Sequence, residues 1–136
     1  KKHPPARRFM KDNTLLITAD TIVWLDGKVY GKPRDIADAK AMLQALSGKT
    51  HTVITGVTLT SLQKQISFAV STEVTFAALG DDEIDYYVET YRPLDKAGAY
   101  GVQEWIGYIG VTGLKGSYYN VMGLPIQRLY TELKKF

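Results

Sequence analysis

The first third of the chain alternates short apolar runs with polar turns, a pattern that predicts strands. Residues 15–19 form an apolar run that stops at Asp20 and Thr21, and Ile22 to Leu25 are predicted to continue the same strand. Asp26-Gly27 is a typical two-residue hairpin turn, so Lys28–Tyr30 should return antiparallel to that strand. Farther along, residues 50–60 and 65–76 are rich in β-branched and apolar side chains, which predicts a second and longer antiparallel pair.

Three other segments repeat apolar residues at helical spacing. Asp35 is the predicted N-cap of a helix that ends at Leu46, since Ser47-Gly48 follows as a stop signal. Residues 81–83 are acidic and favour the start of a helix that reaches about Thr90, and Pro125 should begin a last helix over residues 125–135. The side chains predicted to face the core are Ile36, Ala39, Leu43 and Leu46, then Ile84, Tyr87, Val88 and Tyr91, then Ile126, Leu129, Tyr130 and Leu133.

The remaining segments are shorter. Residues 1–13 should be irregular, and residues 92–103 form a predicted loop because they hold a proline and two glycines. Short strands are predicted at 108–111 and 118–122. With 136 residues the chain is long enough for one core, so we expect a single α/β domain over 1–136, with a mixed, twisted sheet flanked by helices.

Charge is distributed unevenly along the chain. There are 17 Lys and Arg against 14 Asp and Glu, which gives a net charge of +3. Five bases lie in residues 1–11, and three bases with one acid lie in residues 128–136, which leaves nine bases and 13 acids in between. A nucleic-acid site needs bases clustered on one surface, so nucleic acid is excluded as an expected partner.

Cysteine and membrane signals are missing from the sequence. Without cysteine, the 136 residues contain no disulfide framework and no thiolate site. No apolar stretch approaches the length of a membrane span, and no secretory signal is recognisable, so a membrane is not an expected partner. We expect a cytoplasmic protein.

Two segments contain the candidate chemistry. A strand that delivers Asp20 at its end is typical of catalytic or metal-binding positions in open α/β sheets, although a simple turn cap is an equal alternative. Lys32 follows between a glycine and a proline, where it is held in place. Residues 94–103 combine small residues with Asp95, Lys96 and Gln103, the groups that a nucleotide site uses, but a surface Asp–Lys pair in a glycine-rich connection is the more ordinary interpretation. His51 is predicted to be structural.

Five motifs occur together and in order. They are Ala19-Asp20-Thr21, Gly31-Lys32-Pro33, Leu46-Ser47-Gly48 with His51 and Thr55-Gly56-Val57, the run from Asp95 to Gln103, and the run from Gly116 to Pro125. In this combination, from about residue 15 to the C-terminus, the sequence resembles the Maf family of nucleoside triphosphate pyrophosphatases, relatives of the inosine triphosphate pyrophosphatases.

The resemblance implies an enzyme that cleaves a nucleoside triphosphate between its α and β phosphates, with a divalent cation (Mg or Mn) as cofactor. Asp20 matches the family's catalytic acid, which accepts a proton and can also hold the metal. Lys32 and Lys96 match lysines of the phosphate region. Thr21 and Gln103 match positions that divide the family by substrate, and this pair resembles the branch that acts on dTTP and UTP.

The sequence also departs from the family pattern. Members begin with a strand and a Ser-Pro-Arg-Arg-type loop that binds phosphates, but only 14 residues precede Leu15, so we expect both to be absent from this sequence. Residues 5–8 are superficially similar, but no apolar strand precedes them, and the role of that loop is not assigned to Arg7 or Arg8. An uncovered strand edge would favour a homodimer. Two alternatives stay open, a nucleotide-binding regulator of septum formation without turnover and an inactive remnant of the fold.

Overall fold

The computed structural model describes residues 14–136 and shows one α/β domain built on a five-stranded sheet. The predictions for residues 1–13, with the comparison of residues 5–8 to a phosphate loop, lie outside the described residues. The strands are β1 (Leu16–Leu25), β2 (Lys28–Tyr30), β3 (Thr50–Thr60), β4 (Gln65–Phe76) and β5 (Val111–Lys115), in the order β2-β1-β3-β4-β5. The helices are α1 (Ile36–Leu46), α2 (Asp81–Tyr91), α3 (Trp105–Gly110), α4 (Tyr118–Met122) and α5 (Ile126–Lys135).

The predicted single α/β domain is confirmed, but the sheet is not mixed, because all pairings among the described strands are antiparallel. Asp26 and Gly27 have φ values of 52° and 80° and close the β1–β2 hairpin as predicted. After α1 the chain enters β3 beside the end of β1, where Thr52 pairs with Trp24. β3 therefore runs opposite to β1, and no crossover that would make parallel neighbours is formed.

The sheet has two unlike faces. The covered face includes Val23, Val53 and Val74, which pack with α1, α2 and the loop before α3 in the main core. Farther along the same face, Val57 and Leu59 pack against α5. The open face carries the alternate side chains, and within residues 14–136 no helix packs on it. Its members are Thr18, Asp20, Ile22 and Trp24 of β1, their partners Thr52, Ile54, Gly56 and Thr58 of β3, and Ser67 and Ala69 of β4.

The first two helices confirm their predicted bounds and caps. The Asp35 side chain accepts a hydrogen bond from Asp38 N at 2.8 Å, as an N-cap should. At α2 the Glu83 carboxylate accepts from Gly80 N at 2.7 Å. The predicted inward residues are buried in both helices, except that Ile36 is half-buried and Tyr91 is 39% exposed, stacked on Tyr87.

The predicted short strands at 108–111 and 118–122 were wrong. Residues 105–110 form α3, and the strand begins only at Val111. Residues 118–122 form α4, because the Ser117 side chain accepts from Asn120 N at 3.1 Å and caps a helical turn. The β-propensity of Tyr, Ile and Val is overridden here by a cap and by tertiary contacts.

The last helix was predicted in the correct place but with too broad an apolar face. Leu129 is buried and Leu133 is half-buried, but Ile126 and Tyr130 are 47% and 60% exposed. α5 meets only the narrow end of the sheet, and Lys134 Nζ lies 4.9 Å from the Tyr130 ring on the outside. None of the helices in the described part of the chain is long and apolar enough to cross a membrane.

Candidate active site

A cleft of about 290 Å³ lies between β1, the residues after β2, the loop before α3 and the end of α4. It brings together all five residues that the sequence singled out, which come from three separate segments. These lining residues are Asp20, Thr21, Lys32, Lys96 and Gln103. The end of α4 supplies a further wall through Val121, Met122 and Gly123.

Asp20 lies within β1, opposite Gly56, and not at a strand end, which confirms the predicted continuation of the strand over Ile22 to Leu25. The strand continues for five more residues because Thr21 to Leu25 pair with β3 and β2. The Asp20 side chain is exposed, and it forms no salt bridge with a described residue. It also lines a second cavity, of about 740 Å³, on the open face. Asp20 therefore lies at the border of two cavities, with its carboxylate available to solvent.

Thr21 is half-buried, and its hydroxyl is held by a hydrogen bond. Its Oγ1 lies 2.8 Å from Thr55 Oγ1 on β3, and Thr55 Oγ1 donates to the main-chain oxygen of Asn120 at 3.3 Å. A Cβ built on Gly123 would stand 4.0 Å from Thr21 Oγ1, so the end of α4 lies directly beside this hydroxyl. β1 and the end of α4 therefore lie side by side at Thr21.

A backbone hydrogen bond joins the segments that carry Lys32 and Lys96. Gly98 N donates to Gly31 O at 3.1 Å, which connects the loop of Lys96 to the segment of Lys32. Gly98 has a φ of 71°, and a Cβ there would meet Val23 Cγ2 at 2.8 Å, so this position requires glycine. The loop thereby lies directly on β1, and Lys32 and Lys96 line one cleft.

The loop is also anchored to α2 by residues that the sequence did not single out for the site. The Tyr87 hydroxyl donates to Glu104 Oε1 at 2.5 Å and accepts from Gly101 N at 3.0 Å. Burial, followed by the hydrogen bond to Glu104, raises the pKa of Tyr87. Helical periodicity predicted that Tyr87 is buried, but only the loop's fold reveals that its hydroxyl fixes Gly101, beside Lys96 and Gln103.

A buried pair supports the floor of the cleft. His51 Nε2 lies 2.7 Å from the hydroxyl of Tyr100, which itself lines the cleft. His51 is 1% exposed, and burial lowers its pKa to about 4, so the ring is neutral at neutral pH. The ring also packs edge-on against Phe76. These contacts agree with the predicted structural role of His51.

The cleft offers few metal ligands of its own. In residues 14–136 no group of three or more His, Asp or Glu side chains is placed to hold a metal ion. The carboxylates that line the cleft are Asp20 and Asp95, and Asp95 already lies 3.5 Å from Lys96 Nζ. One or two carboxylates are what Mg²⁺ typically takes from a protein when phosphate oxygens complete its coordination.

The comparison with known proteins agrees with the motifs that line this cleft. The sequence matches the family described as Maf-like protein over residues 1–136. The chain belongs to this family. It is 67% identical over 129 residues to the dTTP/UTP pyrophosphatase of Phocaeicola vulgatus, and this match covers 95% of the chain and 67% of the relative.

Other Maf-like relatives carry the same description. The dTTP/UTP pyrophosphatase of Bacteroides thetaiotaomicron is 62% identical over 129 residues, again with 95% of the chain and 67% of the relative covered. That of Flavobacterium psychrophilum is 52% identical over 121 residues, with 89% of the chain and 62% of the relative covered. The chain thus spans about two thirds of the length of the curated relatives it matches.

Proposed function

We propose that the protein is a nucleoside triphosphate pyrophosphatase that hydrolyses dTTP and UTP to the monophosphate and pyrophosphate. The observation that carries this proposal is the cleft itself, where an exposed carboxylate, two ammonium groups, an amide and a hydroxyl converge. The relatives from Phocaeicola vulgatus and Bacteroides thetaiotaomicron are named for the same activity.

The two lysines suit a triphosphate. Lys32 and Lys96 line the same cleft, and the backbone hydrogen bond from Gly98 to Gly31 joins the segments that carry them. As point charges they would neutralise the bound triphosphate and the charge that develops on the departing pyrophosphate. In phosphoryl transfer the protein catalyses mainly by positioning the reactants and by compensating charge, because it takes little part in covalent chemistry.

Asp20 is assigned as the proton acceptor. Its carboxylate is exposed and forms no salt bridge within the described chain, so it can accept a hydrogen bond from a water molecule. As the water oxygen bonds to the α phosphorus, its proton passes to Asp20 and the bond from that phosphorus to the bridging oxygen breaks. Pyrophosphate leaves with the electron pair of that bond.

A divalent cation, Mg²⁺ or Mn²⁺, fits the donor set as a cofactor. Asp20 would hold it, with Asp95 as the second carboxylate of the cleft and substrate phosphates as the other ligands. When bound, the cation supplies charge neutralisation on the phosphates and lowers the pKa of a bound water.

Thr21 and Gln103 are assigned to the recognition of the base. A glutamine amide presents a donor and an acceptor side by side, which is complementary to the imide edge of uracil or thymine. Both side chains line the cleft with the proposed phosphate-binding lysines.

The alternative of a non-hydrolysing regulator of septum formation is less well supported, because the relatives are named as enzymes. A nucleoside triphosphate is the proposed partner, and neither nucleic acid nor a membrane is proposed. The cytoplasmic location and the homodimer stay predictions.

The decisive experiment measures the products. We expect the full-length protein with Mg²⁺ or Mn²⁺ to convert dTTP and UTP into the monophosphate and pyrophosphate in equal amounts, without orthophosphate. Tight nucleotide binding without turnover would instead support the regulator. Release of orthophosphate with a diphosphate would place cleavage at the other anhydride bond and contradict the proposal.

A further inference from the structure

The hydroxyl of Thr21 belongs to a chain of hydrogen bonds that runs out of the cleft into α4. Thr21 Oγ1 and Thr55 Oγ1 lie 2.8 Å apart, and Thr55 Oγ1 lies 3.3 Å from Asn120 O. Thr55 is fully buried, whereas Thr21 is half-buried and lines the cleft. The hydroxyl of Thr55 must therefore find its partners within the protein.

The direction of this chain follows from the chemistry of its ends. A main-chain carbonyl can only accept, and a hydroxyl has a single hydrogen. Because Thr55 donates its hydrogen to Asn120 O, it cannot also donate to Thr21. The 2.8 Å bond must then be donated by Thr21, with Thr55 as the acceptor.

The carbonyl at the end of the chain is held firmly. Asn120 O also accepts from Gly123 N at 3.0 Å. The Asn120 side chain fixes the residue itself, since Nδ2 donates to Val70 O at 3.0 Å and lies 2.9 Å from Thr72 Oγ1. Asn120 is completely buried between α4 and the sheet, so its main-chain oxygen has a defined position relative to β3.

We infer that Thr55 and Asn120 are positioning residues that fix the polarity of Thr21, so that its hydroxyl acts toward the cleft as a hydrogen-bond acceptor only. The hydrogen of Thr21 is committed to Thr55, and only its lone pairs face a ligand. The ligand group that Thr21 recognises is then a hydrogen-bond donor.

This inference rests on the proposed function and gives it a specific form. A uracil or thymine nucleotide carries two kinds of donor that could reach Thr21, the imide N3–H of the base and a sugar hydroxyl. Cytosine has an acceptor at N3 in place of the imide donor. An acceptor-only Thr21 would therefore disfavour CTP if it contacts the base.

The test compares nucleotides with and without the donor. For the full-length protein we expect kcat/KM for UTP to exceed that for N3-methyl-UTP or for 3′-deoxy-UTP by about tenfold, the effect of one lost hydrogen bond. The analogue that shows the loss identifies the donor as the base or the sugar. N3-methyl-UTP loses the imide donor and also gains a methyl group. CTP lacks the imide donor without that added bulk, so it shows which of the two changes causes a loss.

Variants of Thr55 test the hydrogen bonds that link Thr21, Thr55 and Asn120. Thr55→Val keeps the shape but removes the acceptor, so Thr21 can rotate and the UTP-to-analogue ratio should fall at least about fivefold toward unity. Thr55→Ser keeps the hydroxyl and should restore the ratio. A loss of stability alone would not change this ratio, since both nucleotides meet the same folded protein.

The chain provides a matched control on the same strand. Thr50 Oγ1 lies 2.8 Å from Thr75 Oγ1, at an exposed position away from the cleft, so Thr50→Val removes an equally short threonine pair. The ratio should be unchanged in this variant. An unchanged ratio in Thr55→Val, or the same fall in Thr50→Val, would overturn the inference.

The two proposals can fail separately. If the wild type binds the nucleotides without releasing pyrophosphate, the proposed function fails, and the same ratios are measured as dissociation constants by calorimetry. If the UTP-to-analogue ratio of dissociation constants depends on Thr55, the inference that Thr55 fixes the polarity of Thr21 is still supported. No measurable binding of any of these nucleotides would overturn both.

Discussion

Asp20 and Thr21 are neighbours in sequence and lie on opposite faces of β1. Thr21 is directed to the covered face, where Thr55 holds its hydroxyl at 2.8 Å. Asp20 is exposed on the open face and forms no salt bridge with any residue in 14–136. The residue proposed to select the base is thus fixed by the protein, whereas the proposed proton acceptor is left to solvent and ligand. Strand alternation alone separates these two tasks.

The strongest test of this contrast is Asp20→Asn. The amide cannot accept a proton from water, so we expect pyrophosphate release from dTTP to fall by about 10²- to 10⁴-fold, the usual contribution of a general base. Because the side chain is exposed and without an ion-pair partner in the described chain, the melting temperature should barely change. Asp26→Asn, in the exposed hairpin turn, is the matched control and should keep full activity. Retained activity in Asp20→Asn would remove Asp20 from the mechanism.

A second test compares the two faces by stability. Leu25 is 6% exposed on the covered face, and Leu25→Ala should lower the free energy of unfolding by about 2–5 kcal/mol. Trp24 precedes Leu25 in the sequence, lies on the open face and is 43% exposed. Trp24→Ala removes a larger side chain but should cost less than half as much in urea denaturation. Equal losses would mean that the open face is covered in solution.

The covered face also predicts a dependence of stability on pH. Burial lowers the pKa of His51 from 6.5 to about 4, so between these values the unfolded chain binds a proton that the folded chain does not. Stability is therefore unaffected above pH 6.5 and is lost as the pH falls to 4, by about 3 kcal/mol from this group. In His51→Gln the free energy of unfolding should fall less steeply as the pH is lowered from 6.5 to 4 than it does in the wild type. An identical slope in the variant would contradict the prediction.

The smallest effect should come from Gln103, an exposed residue of the loop. Gln103→Glu replaces the amide donor with an acceptor, so kcat/KM for dTTP and UTP should fall about tenfold relative to CTP. The measurement is the set of relative rates with dTTP, UTP and CTP. If these relative rates are unchanged, base recognition does not involve this side chain.

The sequence predicted most of the sheet because its signals there are local. The Asp26-Gly27 turn and the β-branched runs define β1 to β4, and the Asp35 cap and the acids before Ile84 define α1 and α2. Motifs also predicted the five residues that meet in the cleft. Their convergence depends on tertiary contacts such as Gly98 with Gly31, and it became visible only in the structure.

The predictions that failed concern short segments in which local preference and tertiary contact disagree. Tyr118 and Tyr119 favour a strand by type, but the Ser117 cap and the bonds of Asn120 to the sheet produce a helical turn. Asp20 was expected at the end of the apolar run, but the accompanying prediction that Ile22 to Leu25 continue the strand is the one that is confirmed. The position of Asp20 opposite Gly56 allows the strand to continue, since one face there is open.

The hydrogen bond between Gly98 and Gly31 has a thermodynamic consequence for ligand binding in the cleft. It joins the segments of Lys32 and Lys96, two cationic residues that line the same cavity. Only the folded state brings them together, so a polyanion that contacts both binds the folded protein in preference to the unfolded chain. Ligand and fold are therefore coupled by mass action, and a nucleotide at a hundred times its Kd would add about 2.7 kcal/mol to the stability of the folded protein.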